Sequence, residues 1–483
     1  MRLKVVQKIL GLLLAVFSVT MLPPLAIALV TGDGAARAFL VAIFIVLAGG
    51  LSLWLPVRRV AGDLKLRDGF LVVVLFWLVL GVAGSIPLML AEQARMAPAD
   101  AIFESISGLT TTGATVIVGI DALPTSILFY RQLLQWLGGM GIIVLAVAIL
   151  PMLGIGGMQL YRAETPGPMK DSKLTPRITE TAKTLWYIYL SLTIACAAAY
   201  YLAGMSAFDA IGHSFATVAI GGFSTHDASI GYFDSVVIEG IAIAFMFLAG
   251  INFSLHFMAW RYRNLKPYVF DSEFRMYAAL LLAVTVACTL GLVIAESDAS
   301  FGAAVRDAVF HTVSIGTTTG FATTSFQAWP GFLPLILLFL SFVGGCAGST
   351  GGGIKVIRFL LLYKQGVREI RRLIHPNAII NIRMGDRSVG DRVVDAVWGF
   401  FATYVAVFAI LLLALMATGL DQVTAFSAVA ACLNNLGPGL GDVSQHYGDI
   451  SDFAKYLLCL AMLLGRLEIF TLLVVLTPSF WRS

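Results

Sequence analysis

The chain has 483 residues, of which 59% are hydrophobic and 12% charged, with a formal net charge of +4. An ordinary soluble domain carries about 25% charged residues, so most of this chain has lipid as its solvent. A water-soluble reading is excluded.

Crossing a hydrocarbon core takes about 20 apolar residues in a helix. Such stretches recur in chain order at 5–30, 36–56, 69–90, 127–150, 182–203, 236–260, 276–294, 332–362, 393–418 and 454–476, which predicts ten spans. The first follows Arg2, Lys4 and Lys8 but is longer than the apolar core of a signal peptide and lacks a small-x-small cleavage site, so it reads as a retained helix. With the N-terminus placed in the cytoplasm, the cytoplasmic ends and loops are 1–8, 57–68, 151–183, 261–275, 355–392 and 477–483. They hold every Lys and Arg except Arg37, Arg95, Arg131, Arg306, Lys455 and Arg466. The positive-inside bias therefore puts both termini in the cytoplasm. Acidic residues favour the outer side, where they raise the local cation concentration. Cys196, Cys288, Cys346, Cys432 and Cys459 form no CxxC pair, so neither a disulfide framework nor a zinc site is indicated.

Between the third and fourth spans lies AIFESISGLTTTGATV, too short and too polar to cross, flanked by two external helix ends. AIGHSFATVAIGGFST, AVFHTVSIGTTTGFAT and AFSAVAACLNNLGPGL repeat its form, each between two spans. Aligned on Gly113, Gly222, Gly320 and Gly437, the four agree in further columns. Alanine stands twelve residues upstream (Ala101, Ala210, Ala308, Ala425), and small residues stand six upstream (Ser107, Ala216, Ser314, Ala431). Thirteen upstream are Asp100, Asp209, Asp307 and Thr424, all residue types that cap helix N-termini. Nine upstream are Glu104, His213, His311 and Ala428, with the two histidines expected to hydrogen-bond behind the loops. The fold class that follows is an all-α polytopic membrane protein: an N-terminal hairpin (1–60), then four helix, re-entrant loop, helix repeats at 61–160, 161–268, 269–385 and 386–483.

Non-helical backbone at membrane depth survives only where it lines a watery path or is buried in protein. Four such loops about one axis make a ring. Glycine at each turn lets successive carbonyls face a common centre, and carbonyl oxygens can replace the hydration shell of a monovalent cation. The half-helices aim their negative C-terminal ends at the same place. The expected cation-binding residues are Thr111, Thr112, Gly113, Ile220, Gly221, Gly222, Thr318, Thr319, Gly320, Asn435, Leu436 and Gly437, acting through main-chain oxygens. The alternative is that these small residues merely pack helices.

The order TTTGA, IGGFS, TTTGF, NLGPG, behind an extra helix pair, resembles the Trk/Ktr/HKT superfamily of potassium transporters along essentially the whole chain. The resemblance implies potassium as the transported ion, with no organic cofactor and no nucleic acid. It also implies a homodimer with one pore per subunit in the bacterial inner membrane, controlled by a cytoplasmic nucleotide-binding subunit of the TrkA type. No loop reads TVGYG and the four differ, so the ring is irregular.

The eighth span is interrupted by GGCAGSTGGG, whose Gly344, Gly345, Gly348, Gly351, Gly352 and Gly353 each cost a helix about 1 kcal/mol relative to alanine. An unwound segment there can block the pore and move aside. In the superfamily the matching segment is a gating loop, and the matching arginine, here Arg466, lies beside it. A packed helix kink is the bland alternative. A phosphate-binding loop is disfavoured, because Ile354 follows where lysine is needed. Arg466 also stands out unaided, since a charge inside a span is costly, and Glu468 is too near in sequence to meet it on one helix face. Asn252 and His256 read as packing polar groups. Lys355, Arg358, Lys364, Arg368, Arg371 and Arg372 suit a cytoplasmic partner or anionic lipid head groups, or act only as topology determinants. A carrier coupling potassium to protons or sodium would want acidic residues at mid-span, and Glu468 is essentially the one available. A membrane enzyme would need a cluster of nucleophile, base or metal ligands, which the sequence does not offer.

Overall fold

The computed structural model describes residues 1–60, 62, 65–144, 178–295, 300–378, 380–385 and 387–482. Most of the expected cytoplasmic loop 151–183 and the end of the fourth expected span lie outside them. The described residues are mostly helical; among them the single strand pairing is a two-residue ladder, Arg383–Met384 with Arg387–Ser388.

The N-terminal hairpin packs Leu3–Val19 against Ala36–Trp54. A methyl added to Gly11 would sit 2.7 Å from the carbonyl oxygen of Gly50, so the two backbones meet where neither residue has a side chain. Close backbone approach at small residues is how helices associate when lipid is as apolar as leucine. The hairpin then packs on Leu66–Gly84, the outer helix of the first repeat.

Among the described residues, six helical stretches are apolar and long enough to cross without a sharp bend: Leu3–Thr31, Ala36–Val57, Arg67–Leu90, Lys183–Leu202, Ser272–Ala295 and Asp391–Met416. Of the other four expected spans, the fourth is a single helix, Thr125–Val144, as far as the described residues run, and three are broken. The sixth splits into Val236–Ala249 and Phe253–Tyr262, bent by 94°. The tenth splits into Asp452–Arg466 and Phe470–Leu476, bent by 114°. The eighth becomes Leu333–Val343, an irregular segment, and the amphipathic Val356–Ile374, as its glycines foretold. At the sixth-span break Asn252 caps the second half by accepting from the Ser254 N–H at 2.9 Å, and His256 Nε2 reaches back 2.9 Å to the Leu248 carbonyl, which also accepts the Ile251 N–H. These two residues therefore serve the break rather than lateral packing.

Four short helices, Pro98–Leu109, Ala207–Ala219, Phe301–Gly316 and Gln422–Leu433, are the expected half-helices. Their caps are not the expected column. Ser206 accepts from the Asp209 N–H at 3.0 Å, Ser300 from the Ala303 N–H at 3.2 Å, and Asp421 from Val423 and Thr424 at 2.8 and 3.1 Å. The first starts at Pro98, which needs no donor at that position. Asp307 lies inside the third half-helix because that helix begins well upstream, at Phe301. Asp100 instead holds Lys455 at 2.6 Å, tying the first half-helix to the last repeat. All five cysteines are buried and unpaired.

Candidate functional site

Each half-helix ends in the same backbone figure. The N–H two residues before the column glycine returns to the carbonyl three residues earlier: Thr111 to Gly108, Ile220 to Thr217, Thr318 to Ile315, Asn435 to Cys432, at 3.0–3.2 Å. The next N–H reaches five residues back: Thr112 to Ser107, Gly221 to Ala216, Thr319 to Ser314, Leu436 to Ala431, at 2.7–2.8 Å. The small-residue column is the acceptor of this second bond. It turns the chain without bulk at the helix end.

Both the glycine and the residue two before it are left-handed in all four repeats. The φ values are 53°, 55°, 69° and 54° at Thr111, Ile220, Thr318 and Asn435, and 82°, 77°, 84° and 99° at Gly113, Gly222, Gly320 and Gly437. Left-handed conformations are rare for a β-branched residue, yet three of those four non-glycines are β-branched. A left-handed residue on either side of an ordinary one lets successive carbonyls turn to one side of the strand, where an extended strand alternates them. The strained column is a feature that sequence reading, with its attention on glycine, missed.

The four loops close on one another in order. A methyl built on Gly113 would collide with the carbonyl oxygen of Gly221, one on Gly222 with that of Thr319, and one on Gly320 with that of Leu436. One on Gly437 would lie 2.7 Å from that of Thr112, which completes the circuit. All four glycines open onto a single cavity of about 640 Å³, lined also by Arg131, His226, Asp227 and Tyr447. The twelve residues expected at the site are thus brought together in one ring.

The ring is not four-fold. In repeats one and three, paired threonines face each other, Thr110 with Thr112 at 2.8 Å and Thr317 with Thr319 at 2.7 Å. In repeats two and four the carbonyls are held by protein: Gln135 donates to Gly221 at 2.5 Å and Tyr447 to Gly437 at 2.8 Å. The Asn435 amide bridges to Thr112 Oγ1 at 3.0 Å and to the Met462 carbonyl at 3.0 Å.

The column nine residues upstream of the glycines braces the return strands. Glu104 pairs with Arg131 at 2.8 Å, both side chains fully buried, and accepts from the Thr115 hydroxyl and the Val116 N–H at 3.0 Å. Arg131 also donates to the Ser224 carbonyl at 3.2 Å and lies over the Phe223 ring, which joins repeat one to repeat two. His213 spans the Asp209 carbonyl and Ser224 Oγ, both at 2.9 Å. His311 lies between the carbonyls of Asp307 and Thr324, at 3.0 and 3.1 Å. A neutral ring can donate only one of those last two bonds. Ala428 has no polar reach, and its neighbour Ser427 bonds Leu440 instead.

At the outer rim, outside the spans, His226 Nδ1 meets Asp121 at 2.6 Å while the Asp227 carboxylate accepts the Ile120 N–H at 2.9 Å. Partial burial pushes the Asp121 carboxyl up, but the bonds from His226 and the Asp227 N–H outweigh it and hold the group below its ordinary value.

On the other side of the ring lies the segment 344–353, non-helical as expected. Its Gly352 N–H donates to Thr318 Oγ1 at 2.7 Å, the Gly353 N–H to the Asn434 carbonyl at 3.1 Å, and the Thr350 hydroxyl to the Val218 carbonyl at 2.9 Å. A methyl on Gly351 would sit 2.9 Å from the Thr317 carbonyl oxygen, and one on Gly352 would strike that of Asn434. Gly344 and Gly353 close the neck of the segment, their backbones too near for a methyl, while Gly345 accepts from the Val356 N–H and Gly348 from the Phe253 N–H. Arg466 reaches the fourth quadrant. Its guanidinium donates to Gly138 O at 2.7 Å, Thr350 O at 3.3 Å and Thr111 Oγ1 at 3.4 Å, over the Trp77 ring. Loop and arginine together underlie all four repeats. Glu468, two residues on and within the bend, pairs with Arg358.

The sequence profile of the TrkH family, described as a cation transport protein, matches residues 35–483. The chain belongs to the TrkH family. It is 60% identical over its full length, and that of its relative, to the Trk system potassium uptake protein TrkH of Vibrio parahaemolyticus, and 57% identical over both full lengths to the protein of the same name from Escherichia coli. The Escherichia coli Trk system potassium uptake protein TrkG is 42% identical over 99% of each chain. The crystal structure of the potassium transporter TrkH from Vibrio parahaemolyticus matches the whole fold with a TM-score of 0.91. TrkH proteins are transporters, not enzymes, and this chain is an all-α, multi-pass membrane member of their family.

Proposed function

We propose that this protein takes up potassium ions across the bacterial inner membrane as the pore subunit of a Trk system. The observation that carries the reading is the closed circuit of four loops, each glycine seated on the carbonyl of the next repeat, between an outer cavity and a plugging loop. The ion-binding groups are the main-chain oxygens of Thr111 to Gly113, Ile220 to Gly222, Thr318 to Gly320 and Asn435 to Gly437. The carbonyls of Gly221 and Gly437 are additionally propped by Gln135 and Tyr447. Such a ring replaces the water around a desolvated monovalent cation.

Residues 344–353 and Arg466 form the gate. The loop takes hydrogen bonds from, or gives them to, the undersides of three repeats, and the guanidinium places a fixed positive charge under the fourth, where it repels a cation in transit. A cytoplasmic nucleotide-binding subunit of the TrkA type shifts the loop, acting on the basic cytoplasmic face with the protein as a homodimer. Both termini lie in the cytoplasm, and the hairpin 1–60 precedes four repeat units at 61–160, 161–268, 269–385 and 386–483. A strictly coupled carrier is less well supported, since Glu104 beside the ring and Glu468 below it are each paired with an arginine.

The test is radioactive rubidium uptake into proteoliposomes, with and without the regulatory subunit, with potassium, sodium and lithium as competitors. Potassium competing far better than sodium is the expected result. Equal competition would reduce the site to an unselective cation path, and flux requiring a proton or sodium gradient would replace the channel with a carrier.

A further inference from the structure

The loop beneath the ring is held from outside its own repeat strand by a carboxylate that no motif singles out. Glu273 stands in the first turn of Ser272–Ala295 and is buried to 6% exposure. Its Oε1 accepts the Ala347 N–H at 2.7 Å and the Ile357 N–H at 3.1 Å. Ala347 lies inside the loop, whereas Ile357 lies in the first turn of Val356–Ile374, just past the loop's end. One oxygen thus ties the crown of the loop to the root from which it would swing.

The bond to Ile357 is at a helix N-terminus, where a negative charge is favoured, and so is the fixed end. The bond to Ala347 is the one a moving loop must break. In its ionised form the carboxylate makes that bond stronger than a neutral acceptor would. The charged groups bearing on Glu273 are Asp271, two residues back, and Lys355, at the loop's exit; the ammonium of Lys355 itself bonds the Gly351 carbonyl. The other ties at the crown, Cys346 N–H to Gly250 O at 2.9 Å and Phe253 N–H to Gly348 O at 3.0 Å, are neutral backbone bonds to the break in the sixth span.

We infer that Glu273 is the latch of the gate: its carboxylate holds the loop 344–353 shut against the ring, and opening requires the Ala347 N–H to leave it. It is a positioning residue, remote from the ion. The inference rests on the reading of that loop as a gate, and two separate readouts keep the two apart.

Cys346 sits in the loop beside Ala347, buried to 1%, and Cys288 is buried at 0% on the same helix as Glu273. Full-length protein keeping Cys346 as its one cysteine, and a second form keeping only Cys288, are reconstituted with Glu273 intact, as Glu273→Gln and as Glu273→Asp. Labelling by a small thiol reagent and rubidium uptake without the regulatory subunit are followed. Glu273→Gln keeps the shape and loses the charge, and is expected to raise the Cys346 labelling rate and the uptake by about tenfold, the factor equivalent to about 1.4 kcal/mol, while Cys288 stays protected and potassium still outcompetes sodium. Glu273→Asp, charged but shorter, is expected to fall between. Faster Cys346 labelling with unchanged uptake would keep the latch and remove the gate. Unchanged Cys346 labelling, or Cys288 labelled equally fast, would overturn the latch.

Discussion

Gly113→Ala tests the ring most directly, because two separable costs fall on one methyl. The first is conformational: at φ 82° an alanine is in the left-handed region, which costs an L-residue about 1–2 kcal/mol. The second is steric, since the new Cβ collides with the carbonyl oxygen of Gly221. That oxygen cannot swing aside freely, because Gln135 holds it at 2.5 Å. Overpacking of this kind costs about 1–3 kcal/mol. Together they amount to about 2–5 kcal/mol, a large share of a typical folding free energy of about 5–15 kcal/mol. Gly32→Ala isolates the first cost, being left-handed at φ 64° with nothing within 4 Å of its built Cβ. In detergent the apparent melting temperature should fall in the order wild type, Gly32→Ala, Gly113→Ala. In proteoliposomes potassium should outcompete sodium for rubidium uptake in the first two but not in the third. Gly437→Ala, whose nearest oxygen is 2.7 Å away where the other three sit closer, should be the mildest of the four ring substitutions. A Gly113→Ala protein that discriminates like wild type and melts with Gly32→Ala would refute the closed circuit.

Three further outcomes follow from the same contacts. Arg466→Gln removes the charge bonded to Gly138, Thr350 and Thr111 and should raise rubidium uptake in the absence of the regulatory subunit; unchanged or lower uptake would sink the blocking role. Glu104→Gln leaves Arg131 buried and unpaired, a loss of about 3–5 kcal/mol, so its yield of folded protein should collapse, whereas Glu104→Gln with Arg131→Met should recover much of it, read as the monodisperse fraction on size exclusion. Asp121, facing His226 and the Asp227 N–H at the rim, has its carboxyl held below the ordinary value. A group with a depressed folded pKa stabilises the fold above its unfolded pKa and loses that contribution as pH falls through the folded one. The melting-temperature gap between wild type and Asp121→Asn should therefore be present at neutral pH and close only below the usual carboxylate range; a gap that widens in acid would contradict this.

The repeat was legible in the sequence because its information is local. Columns of glycine, alanine and small residues recur at fixed offsets, and the hydrogen bonds that need them, such as Thr112 to Ser107 and Gly221 to Ala216, span five residues. The interruption at 344–353 was legible for the same reason, since glycine disfavours helix wherever it stands. The bends at 250–252 and 467–469 were not. Asn252 and Arg466 with Glu468 mark the two places as polar, but the flanking sequence stays apolar and hydropathy carries no direction, so the 94° and 114° turns leave no trace in a sliding window. The positive-φ column was hidden too, because threonine and isoleucine are the residues least expected there, and they stay left-handed only under constraint from their surroundings. Long-range polar pairing was the third blind spot. Glu104 finds Arg131, Gln135 finds Gly221 and Glu273 finds Ala347 across separations that periodicity cannot register.

Those unseen partners explain why four unequal loops can serve one ring. A tetramer of identical chains must brace every filter strand alike, whereas a single chain can support each quadrant differently. Here the threonine hydroxyls of repeats one and three pair within each strand, while in repeats two and four the Gly221 and Gly437 carbonyls are propped by Gln135 and Tyr447. The alternation gives the ring approximately two-fold order: two opposed strands with a carbonyl held by a side chain from beyond the loop, and two whose threonine hydroxyls pair with each other and accept from Asn435 and the Gly352 N–H. Rigidity in such a ring resides in the props. Gln135→Ala and Tyr447→Phe, which touch no ion, should therefore loosen potassium over sodium discrimination, and more so than Thr110→Val, which removes one hydroxyl from a strand that keeps its backbone bonds. Equal effects from all three in the rubidium competition assay would mean that the ring draws its stiffness from the backbone figure alone.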